Sequence, residues 1–206
     1  MRMPAHVDFQ KRPRSIETRL DDGTTICFRP IRPSDEQAIE RGIRELSDHS
    51  RYLRFFSSFK SAPPSVIERL SAVDGFDHIA WGAVMTGEEG SPPSAAAHAI
   101  RDGDNSNVAD LAIAVLDQYH DRGIARLLLA ALILDCRTAG FTQLKFDILH
   151  RNKPAIVLVK SLGASTYSAA GIAMTYSLDV GETLSRLQAM TEPRGLADVF
   201  AAFGSA

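Results

Sequence analysis

Apolar residues in this chain alternate in some stretches and recur every three to four positions in others, and the two rhythms follow a definite order. The run TTICFRPI (24–31) is rich in β-branched and aromatic residues and follows the turn formers Asp21, Asp22 and Gly23, which predicts a first strand. RPSDEQAIERGIREL predicts a helix with Ser34 as its N-cap and acidic residues in the first turn. Two more helical stretches follow, SRYLRFFSSF and PPSVIERLSAV. In the first of them Tyr52, Phe55, Phe56 and Phe59 fall at i, i+3, i+4 and i+7, a helical stripe suited to core packing. HIAWGAV (78–84) and AAAHAIR (95–101) predict two strands, joined through MTGEEGSPPS as an antiparallel hairpin. VADLAIAVL (108–116) predicts another strand.

The stretch QYHDRGIARLLLAAL (118–132) begins as a polar loop and becomes a helix with Ile124, Leu127, Leu128 and Ala131 on one face. TQLKFDIL (142–149) is again strand-like. NKPAIVLVKSLG predicts a helix with Ala155, Leu158, Val159 and Leu162 in register, Pro154 in its first turn and Gly163 just past its end. GIAMTYSLD closes the strands, and residues 182–203 predict one or two terminal helices. The order is strand, helices, three strands, helix, strand, helix, strand. It predicts an α/β (α+β) fold, a mixed, mostly antiparallel central sheet flanked by helices, and not a doubly wound nucleotide fold.

At 206 residues, with 45% apolar and 23% charged side chains, one globular domain is expected. No apolar stretch approaches the roughly 18 residues of a membrane helix. The first residues lack the apolar centre of a signal peptide, so residues 1–16 are expected to be a flexible leader on a cytoplasmic protein. The domain is then placed at 17–180, with a helical tail over 181–206 that either folds back or forms a dimer contact, leaving monomer or homodimer open. A net charge of −2 gives no basic field for nucleic acid. Cys27 and Cys136 have no metal-ligand spacing and are expected to be buried and inert, so no metal is expected.

The chemistry that stands out is at the mouth of the helix beginning near residue 124. A helix N-terminus offers unpaired N–H groups and a partial positive charge, and a loop feeding it can turn several amides toward one anion. Close approach needs small residues, which Gly123 and Ala125 supply, and Arg122 and Arg126 add positive charge on either side. Packing alone would also account for small residues there. Neither G-x-G-x-x-G nor the P-loop pattern is present.

VADLAIAVLDQYHDRGIARLLLAAL closely resembles the coenzyme A signature of the Gcn5-related N-acetyltransferases, in which a strand leads into Q/R-x-x-G-x-G/A at the start of the central helix. Here the pattern reads His120-Asp121-Arg122-Gly123-Ile124-Ala125, with histidine in the first place. LHRNKPAIVLVKSLGA resembles the family's later N-x-x-A-x-x-L-x-x-x-L-G segment, with Asn152 as its asparagine. ETRLDDGTTICFRPIRPSDE and SRYLRFFSSF are similar to the acetyltransferase domain of bacterial protein lysine acetyltransferases of the Pat type, and the likeness runs from about residue 17 to 179. The resemblance implies the acyl-CoA N-acyltransferase fold and acetyl-CoA as cosubstrate. It places the backbone of Ile113 and Val115 along the coenzyme arm, and His120, Arg122, Gly123, Ile124, Ala125 and Arg126 at the pyrophosphate. Asn152 would lie near the pantetheine, unless it is simply a helix cap. The acceptor implied is a protein lysine, with a small amine as the alternative.

Transfer to an amine also needs a proton acceptor, because a lysine of pKa about 10.4 is nucleophilic at neutral pH in only about one molecule in a thousand. In DLAIAV, Leu111, Ile113 and Val115 share one face while Asp110, Ala112 and Ala114 share the other, a carboxylate with room beside it. In Pat-type proteins a glutamate on this strand is the proposed base, and Asp110 falls at its place, one methylene shorter. The competing reading has Asp110 bonding a neighbouring backbone or arginine. His98 is a weaker candidate base, as are His78 and His150. Val159 stands where many family members carry a tyrosine acid. Arg51 and Arg54 could touch an acceptor. The remaining alternative is an acyl-CoA-binding module with little catalysis.

Overall fold

β1 (Ile16–Arg19) and β2 (Thr25–Pro30) form a hairpin around Gly23, and a 3-10 turn (Pro33–Asp35) then leads into α1 (Glu36–Glu45). α2 (Asp48–Phe55) and α3 (Pro64–Ser71) precede β3 (His78–Val84), β4 (Pro93–Arg101) and β5 (Val108–Val115). After α4 (Ile124–Thr138) come β6 (Gln143–Leu149), α5 (Lys153–Ser161), β7 (Ser165–Ala170), β8 (Ala173–Asp179), α6 (Val180–Ala189) and α7 (Leu196–Ala202). This computed structural model describes residues 12–104 and 106–204. The strands form one sheet in the order β1-β2-β3-β4-β5-β6-β8-β7. Only β5 and β6 run parallel, so the mixed, mostly antiparallel sheet expected from the sequence is observed.

One face of the sheet, carrying Phe28, Ile79, Trp81, Ala97, Ala99 and Leu111, packs on α4. The helix is buried nearly all round rather than along one stripe, because α6 and α7 cover the side turned away from the sheet. That packing uses Leu184, Leu187, Leu196 and Val199, all buried. Inside it, Asp135 is 2% exposed; it accepts a hydrogen bond from the Trp81 indole (2.9 Å) and pairs with Arg12. Cys27 and Cys136 are buried free thiols, as expected. Of the leader expected over 1–16, residues 1–11 lie outside the described residues, and Ile16 already belongs to β1.

The opposite face lies under α1, α2 and α3. Two local expectations are corrected here. Ser34 lies inside the 3-10 turn, and Asp35, paired with Arg29 at 2.7 Å, stands at the N-cap of α1. The aromatic stripe breaks after Phe55, because Phe56 takes a left-handed conformation (φ 55°) that ends α2 and leaves its ring exposed.

Candidate active site

A gap opens in the middle of the sheet. β5 pairs with β6 only at Val108, Ala109 and Asp110, whereas β6 follows β8 along its whole length and so peels away from β5. Leu116 donates its N–H to Ser94 on the β4 side (2.8 Å). In an antiparallel ladder, alternate residues face opposite neighbours, so the backbone groups of Ile113 and Val115 point across the gap, where no strand stands opposite them. The gap leads to the C-terminal ends of two parallel strands, each followed by a helix N-terminus, the crevice where open sheets bind ligands.

The loop from β5 to α4 ends in an anion-shaped turn. Asp121 (φ 59°) and Gly123 (φ 78°) adopt left-handed conformations on either side of Arg122. Among the described residues, no hydrogen bond is donated by the amides of Asp121, Arg122, Gly123, Ile124 or Ala125, the first intrahelical donors being Arg126 and Leu127 to Gly123. Five successive free N–H groups thus stand at the positive end of a four-turn helix, a backbone arrangement suited to an anion. The Ile124 side chain is in the core, so only its amide serves here.

The side chains around the cradle are used mostly by the protein itself. Arg122 pairs with Asp22 (2.8 Å) and Glu88 (3.7 Å) and donates to Thr24, clamping two hairpin turns beside the loop. His120 donates from Nε2 to the Val115 carbonyl (3.0 Å), and Arg126 reaches the Glu192 carbonyl (3.4 Å). Gly123 also lies against the Pro193 ring, which a Cβ would meet at 3.0 Å, so packing and close approach both call for glycine. Asn152 is the N-cap of α5, accepting from the Ala155 N–H at 3.3 Å. Asp117, at the start of the loop, accepts from the Ser47 N–H and from the Ser47 and Ser50 hydroxyls. Burial alone would raise its pKa, but these bonds pull it down to about 2 and fix α2 against the loop.

Asp110 lies on the α1–α3 face at the closed end of the gap, opposite Ile100 on β4 and Lys145 on β6. Among the described residues its carboxylate accepts no hydrogen bond and makes no ion pair, so neither structural role considered for it is observed. Lost hydration raises its pKa, Asp102 and Asp147 add to that, and Arg69 and Lys145 oppose it. Ala112 and Ala114 share its face, as the alternation predicted.

Two of the histidines come together beside it. His98 stands opposite Ala112 on this face, and its Nδ1 is 3.0 Å from His78 Nε2, while His78 Nδ1 is 3.0 Å from the Ala72 carbonyl. A carbonyl can only accept, so His78 carries its proton on Nδ1 and the neutral pair orders as His98 to His78 to Ala72. His98 Nε2 is then a bare acceptor. Burial holds both imidazoles below their ordinary value, with the Arg54 charge adding to this at His98. The signal was present in the sequence but needed the hairpin register, which brings residues 78 and 98 to adjacent strands on one face. His150 lies beyond the end of β6. Val159, on α5, is buried against Ile148 and Tyr176, and Tyr167 is exposed, its ring 4.4 Å from Lys145 Nζ.

Residues 49–164 match the Acetyltransferase (GNAT) family. Acetyltransferase Pat of Mycolicibacterium smegmatis is 32% identical over 149 residues, 72% of this chain and 44% of that protein, so the chain spans less than half of that relative's length. Acetyltransferase PA5475 of Pseudomonas aeruginosa is 27% identical over 61% of this chain and 67% of its own. The GNAT domain of Streptomyces lividans PAT superposes with a TM-score of 0.73 at 22% identity, covering 86% of this chain and 99% of that one. Salmonella typhimurium yncA, solved with its cofactor acetyl-CoA, superposes with a TM-score of 0.59 at 16% identity over 75% of this chain and 94% of its own. With the gapped sheet, the amide cradle and a family match over more than half of its length, the chain belongs to the GNAT acetyltransferase family.

Proposed function

We propose that the chain transfers an acetyl group from acetyl-CoA directly to a primary amine, a protein lysine side chain foremost. The observation that carries this reading is the run of five unpaired amides, Asp121 to Ala125, at the mouth of a gap lined by the backbone of Ile113 and Val115, which has no strand opposite it among the described residues. The amides fit a pyrophosphate, and the strand edge fits an amide-bearing arm laid beside it as an extra strand would lie. Acetyl-CoA supplies the activated acyl carbon. The Ile113 N–H is the donor best placed for charge developing on the acyl oxygen, because it faces the gap and has no strand partner.

The remaining task is the amine's proton. Asp110 takes it, directly or through one water, as the nitrogen bonds to the acyl carbon and the carbon–sulfur bond breaks to release the thiolate. A carboxylate with no competing partner and a raised pKa is a better acceptor than one held in a salt bridge. The resemblance of ETRLDDGTTICFRPIRPSDE and SRYLRFFSSF to protein lysine acetyltransferases of the Pat type supports a protein acceptor. A small amine is the second reading, favoured by a cavity of about 110 Å³ on the same face. We place the protein in the cytoplasm, as monomer or homodimer, with no metal and no nucleic acid partner.

The test is acetyl transfer from labelled acetyl-CoA by the full chain to lysine-containing proteins and to a panel of small amines. Label on protein lysines supports the first reading, and label on amines alone supports the second. Tight coenzyme binding with no transfer to either would make the chain an acyl-CoA-binding module.

A further inference from the structure

The cavity beneath α1 has apolar walls from Ile43, Leu46, Phe55 and Leu70, and the small side chains of Ala96 and Ala114 form its floor on the sheet. Of its ionisable side chains, Arg29 and Asp35 pair with each other, whereas His98 and Arg54 have no ion-pair partner among the described residues. Two other arginines near it are committed. Arg29, also in the cavity wall, makes a bidentate pair with Asp35 at 2.7 and 2.9 Å. Arg51, one turn before Arg54, donates to the carbonyls of Leu46, Phe59 and Lys60 and to Asp48.

Arg54 has no such commitments. Among the described residues it makes no hydrogen bond and no ion pair, and its guanidinium meets only the Phe55 ring, 4.7 Å from the centroid. A guanidinium held partly out of water is costly unless an anion completes it. Its pKa falls to about 10, through burial first and then the Arg69 charge, which leaves it a cation at neutral pH. A planar fork facing apolar walls matches a carboxylate on a short hydrocarbon stem, and one free guanidinium matches one negative charge. His98 adds an acceptor beside it for an N–H or O–H of the same molecule. The cavity also adjoins the transfer site, since His98 stands opposite Ala112, the next residue after Asp110 on that face.

We propose that Arg54 and this cavity bind a carboxylate on a short aliphatic stem, carried either by the acyl group of the acyl-CoA or by the amine acceptor. This rests on the acyl-CoA transfer reading above, but not on a lysine acceptor.

The test begins with the unmodified full chain. Acetyl-CoA and succinyl-CoA are titrated in parallel, and turnover of 4-aminobutyrate is compared with that of butylamine under acetyl-CoA. A carboxylate held by a guanidinium gives about 10–100-fold preference in one of the two comparisons. Preference for succinyl-CoA assigns the carboxylate to the acyl group, and preference for 4-aminobutyrate assigns it to the acceptor. Arg54→Met then brings the preference ratio to within about twofold, whereas Arg54→Lys keeps part of it as a point charge. If acetyl-CoA binds and both comparisons are flat in the unmodified chain, the cavity proposal is wrong and the transfer reading stands. If acetyl-CoA does not bind, both fall together.

Discussion

Replacing Asp110 by asparagine removes one negative charge and the proton acceptor proposed above. No hydrogen bond or ion pair among the described residues depends on it, so folding stability should change by less than about 0.5 kcal/mol. The coenzyme site proposed above uses amides beyond it on β5 and at α4, so coenzyme affinity should hold. What changes is proton removal from the amine. A positioned base contributes about 10²–10⁴-fold, and a short aspartate acting through water belongs at the lower end. The expected loss in kcat is therefore about 100-fold, or about 2.7 kcal/mol of barrier. The wild-type rate should also carry an acid-side limb centred above the ordinary aspartate value of 3.8, and the variant should lack it. Asp110→Glu should retain activity within about tenfold, because the carboxylate remains and the position is exposed enough to take one more methylene. The assay is thiol release from acetyl-CoA against pH at saturating acceptor, with calorimetry as the binding control. Full turnover by Asp110→Asn, with intact binding, would remove Asp110 from the mechanism.

Two further outcomes concern stability. His78 and His98 are both held below the ordinary value of 6.5, so below that pH the unfolded chain binds more protons than the folded one. Urea-unfolding stability should therefore fall from pH 7 to pH 5, by up to about 1.4 kcal/mol per pH unit for each histidine, and a flat profile would contradict the neutral pair. Asp135→Ala leaves the Arg12 guanidinium and the Trp81 indole N–H buried without their carboxylate, and should cost about 3 kcal/mol or more. A cost under about 1 kcal/mol in the same urea assay would mean that the buried pair is not what holds residue 12 against α4.

Elements with a strong rhythm between turn residues were legible in the sequence. The strand predicted over 78–84 is found at those limits, and those of β4, β5 and β6 lie within two residues of expectation. β1 and β7 were not anticipated. IETR is four residues long and STYSAA is mostly small and polar, so each is a strand only because β2 or β8 offers it a partner. The one-sided reading of α4 failed for a related reason, since covering by α6 and α7 is a tertiary fact. In the site, the alternation of Asp110, Ala112 and Ala114 predicted their shared face, and the glycine turn predicted the amide cradle. The sequence could not show that Arg122 and His120 are tied to Asp22 and Val115, nor that Pro193 packs on Gly123. That last contact makes Gly123→Val a poor probe, because it strains a left-handed position and strikes the proline whatever the loop binds.

Ala125 is the better probe of the central claim. A carboxylate in the first turn suits the helix dipole by about 0.3–1 kcal/mol, so Ala125→Asp should fold at least as well as the parent. The same charge would sit among the five amides that are assigned to a phosphate. Calorimetric titration with acetyl-CoA should give micromolar affinity for the parent, about −8 kcal/mol, and a loss of at least about tenfold for Ala125→Asp. No binding by the folded parent, or equal binding by the variant, would contradict the assignment of this turn to coenzyme A.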